Sequence, residues 1–509
     1  MRRFFILAAL AAFMVLSCPW AQEPVSVSSL AGEWIGTLQA GGARLRIVFR
    51  VTSGEGGFTA VMDSPDQGAK GIPVSSASLE GSAIVFDLKN IGGRYEGTLD
   101  AAGGKIAGFW KQGGLRFPLD LVKQAQSTPD APTSAAAQLA GSRRPQEPQP
   151  PFPYETREVK VKAGGSSASG GTGGFELAGT LCLPRGDGPF PSALLVTGSG
   201  QQDRDETIVG HKPFLVLADY LARRGIASLR LDDRGAGDSG GDFGSATTHD
   251  FAEDAASAIA FLRAQRELDP RRTGIIGHSE GGIVASMVAA KDPDLAFAVL
   301  LAGPGLPGEQ ILYLQNAAIA RASGVGEQTI AGANATNARL YAIALSSSSP
   351  EDKRTAIIKI YKDMAPAGAP QKVLDALEAE GERSAAQLLS PWFRSFLILD
   401  PYPYLKQARM PLLALIGSKD LQVPADENLA AIGAALAEAG NPRSAALRLD
   451  GLNHLFQTAD TGLPEEYGAI EETISPTALE TIGLWLDGIL EAVPRSSARS
   501  VQPQLPKGE

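Results

Sequence analysis

The chain has 509 residues, 44% of them hydrophobic, a composition that suits large buried cores spread over about three domains. Its formal net charge is −10 and no basic block stands out, which argues against nucleic acid as a partner. Two cysteines are too few for a disulfide scaffold, and no His/Cys cluster has the spacing of a zinc site, so we expect neither a metal nor another cofactor.

The first predicted element is an export signal at residues 1–21. Two arginines precede a short apolar run from Phe4 to Leu16, a pattern typical of a secretory signal and too short for a comfortable membrane span. Two processing sites stay open: cleavage after Ala21, or a lipoprotein-like sequence that ends at Cys18. We therefore expect an exported protein, periplasmic or secreted, which a lipidated Cys18 would anchor to a membrane.

Residues 22–123 predict a small all-β domain, either a barrel or a sandwich. Apolar and polar side chains alternate in short runs separated by Gly-Gly pairs, which is typical of half-buried antiparallel strands joined by tight turns. Trp34 and Trp110 either line a ligand cup or fill the core, and large aromatic side chains more often do the latter. Residues 124–153 are rich in Ala, Pro, Gln and Ser and predict a linker.

Residues 154–491 alternate buried strands with helices, which predicts an α/β domain with a mostly parallel sheet and helices on both faces. Ligands of such sheets bind beyond the carboxyl ends of the strands. Amphipathic helices at about 305–400 interrupt the alternation and predict a helical cap over the site. Residues 492–509 predict a disordered tail.

A G-x-S-x-G sequence, formed by Gly277, Ser279 and Gly281, lies between a predicted strand and a predicted helix. That context is what a nucleophile elbow requires. The serine there has a strained backbone, and neighbouring backbone passes so close that glycine is favoured on either side. A chance match in a glycine-rich chain is the alternative, but the strand and helix around the motif favour Ser279 as a catalytic nucleophile.

Three segments carry a resemblance to a known family: TGSGQQDRD at 197–205, DDRG at 232–235 and GHSEGG at 277–282. Together they resemble secreted bacterial carboxylesterases of the α/β-hydrolase superfamily and the broader serine aminopeptidase-like hydrolases. The resemblance spans about residues 180–490 and implies an α/β-hydrolase fold with a Ser-His-Asp triad. The oxyanion loop departs from the usual His-Gly, since Thr197-Gly198 stands there.

In this fold the triad follows the order Ser, acid, His along the chain. His454 is the only histidine after Ser279 and is therefore the predicted base. Asp420 follows a predicted strand at 411–416 and is the predicted acid. Its rival is Asp450, which ends its own strand and is expected to face a neighbouring loop.

The predicted oxyanion hole consists of two backbone N–H groups, that of Glu280 after the nucleophile and that of Ser199 in the loop after an early strand. Glu280 also belongs to a predicted charged cluster with Arg204, Asp203 and Asp233. Two interpretations of this cluster stay open: it stiffens the elbow, or it is a solvated surface network.

The cap predicts the shape of the substrate pocket. Trp392 and Phe393 either form an apolar wall for the acyl group or pack the cap against the core. A roofed apolar pocket favours small or medium esters over long polymers.

The sequence thus predicts an exported serine hydrolase that cleaves small-molecule carboxylic esters through an acyl-enzyme. A peptidase or acyl-thioesterase with the same triad is the first alternative. A non-catalytic ligand-binding protein with a decayed hydrolase domain is the alternative of another class.

Overall fold

The structure is a computed structural model that describes residues 30–40, 43–54, 57–64, 69–89, 93–100, 104–112, 115–123, 144–164, 174–366 and 368–493. Its contacts divide the chain into two compact units, Met1–Thr133 and Ser134–Glu509. The predicted signal, Cys18 and all but the first two residues of the predicted tail lie outside the described residues. No helix in the described part of the chain is long and apolar enough to cross a membrane.

The first unit is all-β, as predicted. Its described strands form one antiparallel sheet in the order β4-β3-β2-β1-β10-β8-β7-β6-β5, with β9 on β8. These strands are β1 (Gly32–Ala40), β2 (Ala43–Gly54), β3 (Gly57–Ser64), β4 (Ala69–Pro73), β5 (Ser76–Glu80), β6 (Ala83–Leu88), β7 (Gly93–Leu99), β8 (Lys105–Gln112), β9 (Leu115–Pro118) and β10 (Leu121–Lys123). Between the two end strands, Val74 N–H donates to Ala60 on β3 and Ser75 N–H donates to Asp87 on β6, so the sheet curls into a barrel-like layer.

Alternation of side chains along these strands gives the first unit a single aromatic core. Trp34, Phe49, Phe86, Tyr95 and Trp110 are all buried in it. The Trp34 indole N–H donates to a backbone carbonyl at 2.8 Å, which satisfies its one polar atom. The two tryptophans therefore fill the core and do not line a ligand cup.

The second unit is built on a mixed sheet whose described strands run in the order β11-β12-β14-β13-β15-β16-β17-β18. These strands are β11 (Tyr154–Ala163), β12 (Phe175–Pro184), β13 (Phe190–Val196), β14 (Ala227–Leu231), β15 (Leu268–His278), β16 (Ala298–Leu301), β17 (Leu412–Gly417) and β18 (Ala445–Leu449). The first two strands are antiparallel to their neighbours, and β14, β13 and β15 to β18 are parallel. This is the α/β-hydrolase arrangement that the sequence predicts.

Helices cover both faces of this sheet. Among the described residues they are α1 (Pro213–Arg223), α2 (Thr248–Ala264), α3 (Glu280–Lys291), α4 (Gly308–Ala322), α5 (Glu327–Leu345), α6 (Pro350–Lys362), α7 (Gln371–Leu388), α8 (Pro391–Ile398), α9 (Tyr402–Leu405), α10 (Ala425–Ala439) and α11 (Pro476–Glu491). One core holds the apolar faces of α2, α3 and α10, and a second holds those of α1 and α11. Strands such as β17, buried along their whole length, separate these two cores.

The cap consists of α4 to α8, inserted between β16 and β17. It has a small core of its own, in which Tyr341, Ile357, Leu388 and Phe393 are buried. The carboxyl ends of β15, β16 and β17 lead into the elbow, the cap and the loop of Asp420, respectively, so these three segments start from one edge of the sheet.

Residues 144–153, assigned to the linker from composition, belong to the second unit and contact its residues 468–474. The Arg144 guanidinium donates to the carbonyls of Gly468 and Ile470 at 3.0 Å each. The Gln146 amide donates to the Ile474 carbonyl and accepts from Thr473 N–H, both at 2.6 Å. Composition misses this because the partners lie more than 300 residues away along the chain.

Candidate active site

Ser279 occupies a sharp turn between β15 and α3. Its backbone has φ 52° and ψ −120°, a strained conformation for a residue with a side chain, and its N–H donates to the Leu301 carbonyl at 2.8 Å. A Cβ added at Gly277 would lie 1.9 Å from the Gly281 carbonyl oxygen, and one added at Gly281 would lie 2.2 Å from that of Val196. The motif glycines are therefore sterically required at this turn.

His454 and Asp420 form a buried pair. His454 Nδ1 lies 2.9 Å from Asp420 Oδ2. The other carboxylate oxygen, Oδ1, accepts the backbone N–H groups of Gln422 at 2.9 Å and Val423 at 2.8 Å. Because both oxygens are engaged, the carboxylate is fixed in orientation, and the imidazole is held through Nδ1 with Nε2 left for other chemistry.

The rival acid, Asp450, has a different environment. Its side chain is 82% exposed and pairs with Arg448 at 3.3 Å. The loop of His454 instead reaches the elbow through its backbone: the His454 carbonyl oxygen lies 3.0 Å from Nε2 of His278, the residue before Ser279. The structure thus brings the His454–Asp420 pair to the elbow and leaves Asp450 at the surface.

Ser279 opens into a cavity of about 160 Å³ beneath the cap. Most of its lining is apolar and includes Trp392 and Phe393, the two cap residues singled out from the sequence. Three neutral amide side chains also line it. The apolar lining is Pro304, Ile311, Leu312, Trp392, Phe393, Phe396 and Val423, and the amide lining is Gln315, Gln387 and Gln422.

Both predicted oxyanion residues, Ser199 and Glu280, line the same cavity as Ser279. Their backbone N–H groups make no hydrogen bond with the described part of the chain. The neighbouring amide is not free in this way, because Gly198 N–H donates to Glu206 Oε1 at 2.7 Å. Two amides are therefore available around the nucleophile for an anionic oxygen.

The predicted charged cluster divides into separate sets. Arg204 pairs with Asp232 at 2.7 Å, a residue outside the predicted cluster. Asp203 caps its own loop through backbone N–H groups. Asp233 accepts the Thr197 hydroxyl at 2.9 Å, so the threonine that replaces the usual histidine ties the oxyanion loop to the end of β14. The four predicted residues therefore do not form one network.

Glu280 is buried and connects the elbow to two other elements. Its Oε1 accepts the hydroxyl of Thr248 at 2.6 Å and the indole N–H of Trp392 at 2.8 Å. Its Oε2 has no partner among the described residues, and burial raises the pKa of this carboxyl. Burial also raises the pKa of Asp233 to about 7, although Gln202 N–H and Thr197 oppose the shift. Asp233 and Glu280 both line a second cavity of about 50 Å³.

Glu206 is a site residue that the sequence does not single out. It is buried, has φ 54° and accepts both Gly198 N–H and a ring N–H of His278. Its only sequence signal is its position directly after the TGSGQQDRD segment, where a glutamate in a polar loop is unremarkable. Within the described residues, no group of His, Cys, Asp or Glu is arranged to hold a metal ion.

Comparison with known proteins adds to this geometry. Residues 212–379 match the family model described as serine aminopeptidase, S33. This part of the second unit is therefore similar to that hydrolase family. The match includes Ser279, the first three cap helices and the first half of α7, and it ends before Asp420 and His454. It confirms the predicted resemblance to serine aminopeptidase-like hydrolases and includes two of the three motifs, those at 232–235 and 277–282.

Esterase EstD of Thermotoga maritima is 32% identical over 149 residues, which are 28% of this chain and 35% of EstD. The chain thus matches about a third of the length of this relative. Among solved structures, the Pyrococcus furiosus esterase PF2001 is 15% identical with a TM-score of 0.39, covering 71% of this chain and 96% of that chain. The hypothetical protein PA2218 from Pseudomonas aeruginosa is 18% identical with a TM-score of 0.40, covering 72% and 99%.

Proposed function

We propose that the protein is a serine hydrolase that cleaves carboxylic esters of small molecules, with Ser279, His454 and Asp420 as its triad. The observation that carries the proposal is the 2.9 Å pair of His454 Nδ1 and Asp420 Oδ2, in a loop that contacts the strained elbow of Ser279. The match to a hydrolase family and the similarity to EstD support the same reaction class.

The chemistry follows from the residues. His454 Nε2 takes the proton of the Ser279 hydroxyl as its oxygen attacks the ester carbonyl, and Asp420 stabilises the resulting imidazolium. The N–H groups of Ser199 and Glu280 stabilise the oxyanion of the tetrahedral intermediate. The C–O bond to the alcohol then breaks, and His454 gives its proton to the leaving oxygen. Water, activated by His454, releases the acyl group as a carboxylic acid and restores Ser279.

The cavity lining favours an ester over a peptide. Recognition of a peptide end needs an opposite charge, which a buried site supplies as a carboxylate cluster or an arginine. Among the described residues that line the cavity, Glu280 is the only acidic or basic one, and Thr248 and Trp392 already donate to its carboxylate. An uncharged ester needs no such anchor, since apolar contact and a few amide groups are enough.

Labelling with a fluorophosphonate tests the nucleophile. The probe should label the wild-type chain and Ser286→Ala but not Ser279→Ala. Ser286 is the matched control because it lies on α3, the helix that follows Ser279, and its hydroxyl donates to the Ile283 carbonyl. Labelling of Ser279→Ala at the wild-type rate would contradict the proposed nucleophile. Absence of labelling in the folded wild type would favour a non-catalytic binding protein.

A panel of butyryl compounds tests the leaving group. The same acyl group should be released from an ester faster than from a thioester or an aminoacyl amide, and esters of short acids should be cleaved faster than esters of long ones, because the cavity is small. Faster amide cleavage would point to a peptidase, and faster thioester cleavage to an acyl-thioesterase.

We also propose that the protein is exported, on the basis of the signal-like residues 1–21. Fractionation of expressing cells, followed by the intact mass of the mature chain, tests this. A chain starting at residue 22 would support secretory cleavage, and a lipid-modified chain starting at Cys18 would support a membrane anchor. A full-length chain in the cytoplasm would refute export.

A further inference from the structure

The ring of His278 is buried between two hydrogen-bond acceptors. Its Nδ1 lies 2.8 Å from Glu206 Oε1, and its Nε2 lies 3.0 Å from the carbonyl oxygen of His454. A neutral imidazole has one N–H and can donate to only one of these oxygens. With Glu206 ionised, both oxygens are acceptors, and a proton on each ring nitrogen satisfies both; His278 is then an imidazolium paired with the Glu206 carboxylate.

The same carboxylate oxygen also holds the oxyanion loop. Glu206 Oε1 accepts Gly198 N–H at 2.7 Å, one residue before Ser199. The loop is tightly placed here, because a Cβ at Gly198 would lie 3.1 Å from the Cβ of Ser279. One continuous set of hydrogen bonds thus joins Gly198, Glu206, His278 and the backbone of His454.

Given the serine hydrolase function proposed above, we propose that Glu206 and His278 are positioning residues. Their buried ion pair fixes the positions of the oxyanion loop and of the loop that carries His454 relative to Ser279. Neither side chain touches the cavity of Ser279. The pair acts through Gly198 on one side and through the His454 backbone on the other, so its loss misplaces groups that work only in the transition state.

The charges around His278 favour the imidazolium. Burial lowers the pKa of His278, but the Glu206 carboxylate, from the loop before α1, raises it through its charge and its hydrogen bond. The His454 carbonyl and Asp420, from the loop after β17, add to this rise, so the pKa lies above its ordinary value. The ring of His454 also faces His278, with the two ring centroids 4.9 Å apart. Because the pKa of His278 in the folded protein lies above its ordinary value, the ion pair with Glu206 is fully formed at lower pH. It weakens as pH rises through that folded pKa.

Glu206→Gln is the sharpest kinetic test. The variant keeps an oxygen for Gly198 N–H but removes the charge that keeps His278 protonated, so His278 becomes neutral near neutral pH and gives up one of its two hydrogen bonds. We expect kcat for a short p-nitrophenyl ester to fall about tenfold to a hundredfold with KM within about twofold of wild type. The ratio of variant to wild-type kcat should change with pH: it should be lowest where His278 is protonated in the wild type but neutral in the variant, and it should rise again as wild-type His278 deprotonates at higher pH.

His278→Gln provides a second variant that does not titrate. Its amide can still donate to the His454 carbonyl, so we expect a smaller loss than in His278→Leu. Because only the wild type titrates at this position, the kcat ratio of the variant to wild type should rise as pH rises through the folded pKa of wild-type His278. Ser192→Ala is the matched control. It removes a buried hydrogen bond of 3.0 Å to Thr273 in the same sheet, away from the elbow, and should lower stability without changing kcat or its pH profile.

A measurement independent of activity completes the test. The chain has four histidines, so ¹⁵N-histidine labelling of the full-length protein gives few ring signals, and His278→Gln assigns the one of interest. Two protonated ring nitrogens for His278 at pH 7.5, reduced to one in Glu206→Gln, are expected. This result stands even if no ester is cleaved, so failure of the proposed function and failure of the ion pair are distinguishable.

Three results would overturn the inference. The first is a single protonated ring nitrogen for His278 in the wild type, which removes the ion pair. The second is a Glu206→Gln variant whose kcat ratio to wild type does not change with pH. The third is a loss of kcat in Ser192→Ala as large as in Glu206→Gln, which would reduce the effect to general destabilisation.

Discussion

Asp420→Asn is the substitution for which the structure makes the most specific prediction. Oδ1 of Asp420 faces two backbone N–H donors, those of Gln422 and Val423, and Oδ2 faces Nδ1 of His454. An asparagine must therefore place its amide oxygen toward the backbone and its NH₂ toward His454. Nδ1 then has to accept, which puts the single ring proton on Nε2, the nitrogen that should take the proton of Ser279.

The magnitude follows from this reversal of the tautomer. In a Ser-His-Asp enzyme a wrong tautomer costs about 10⁴-fold in kcat, or about 5 kcal/mol of transition-state stabilisation. The assay is kcat and KM for p-nitrophenyl butyrate, with thermal unfolding to confirm that the variant is folded. KM should change little, because Asp420 lies outside the cavity.

Asp450→Asn is the matched control for this experiment. Its carboxylate is 82% exposed and pairs with Arg448 at the surface, and such pairs contribute about 0–1 kcal/mol. We expect kcat within about twofold of wild type. If Asp420→Asn kept more than a tenth of the wild-type kcat, or if Asp450→Asn lost more than Asp420→Asn, the assignment of the acid would be refuted.

Three further substitutions test the surroundings of the nucleophile. Gly281→Ala should abolish fluorophosphonate labelling and lower the melting temperature, because its Cβ would lie 2.2 Å from the Val196 carbonyl oxygen. Labelling at the wild-type rate would contradict the elbow geometry. Trp392→Phe removes a hydrogen bond to buried Glu280, so the free energy of unfolding in urea should fall by about 1–3 kcal/mol and kcat should also fall. An unchanged free energy of unfolding would argue against that bond. Burial raises the pKa of Asp233 from 3.8 to about 7, so the native state holds a proton that the unfolded chain releases, and stability should fall as pH rises between these values. Asp233→Asn should make this fall shallower in urea titrations at pH 5 and pH 8, and an unchanged slope would remove Asp233 as its source.

The parts of the site that the sequence predicts are those that depend on local pattern or on strand order. The elbow is visible because two glycines, a serine, a strand and a helix follow one another within a few residues. Asp420 and His454 are predictable because each follows a strand, and the carboxyl ends of parallel strands meet at one edge. The structure pairs β15, β16, β17 and β18 in succession as parallel strands, so the loops that follow β15, β17 and β18 start from the same edge.

The parts that the sequence does not predict depend on contacts between distant segments. Glu206 meets His278 across 72 residues, and neither periodicity nor a motif records that pairing. The charged cluster was predicted from residues expected near the elbow, but Arg204 pairs with Asp232, the residue before Asp233, instead. Charged side chains in neighbouring loops have many possible partners, and only the fold selects among them.

The cap and the oxyanion hole converge on a single residue. Trp392, on α8, forms part of the apolar wall and donates to Glu280 Oε1, while the backbone N–H of Glu280 is a proposed oxyanion donor. Thr248, at the start of α2, donates to the same oxygen. The first turn of α3 cannot shift without lengthening one of these bonds, so the position of the cap wall and that of the oxyanion donor are coupled. Substitutions of α8 residues that do not contact the triad should therefore change kcat as well as KM. A cap that only selects substrates by size would change KM alone.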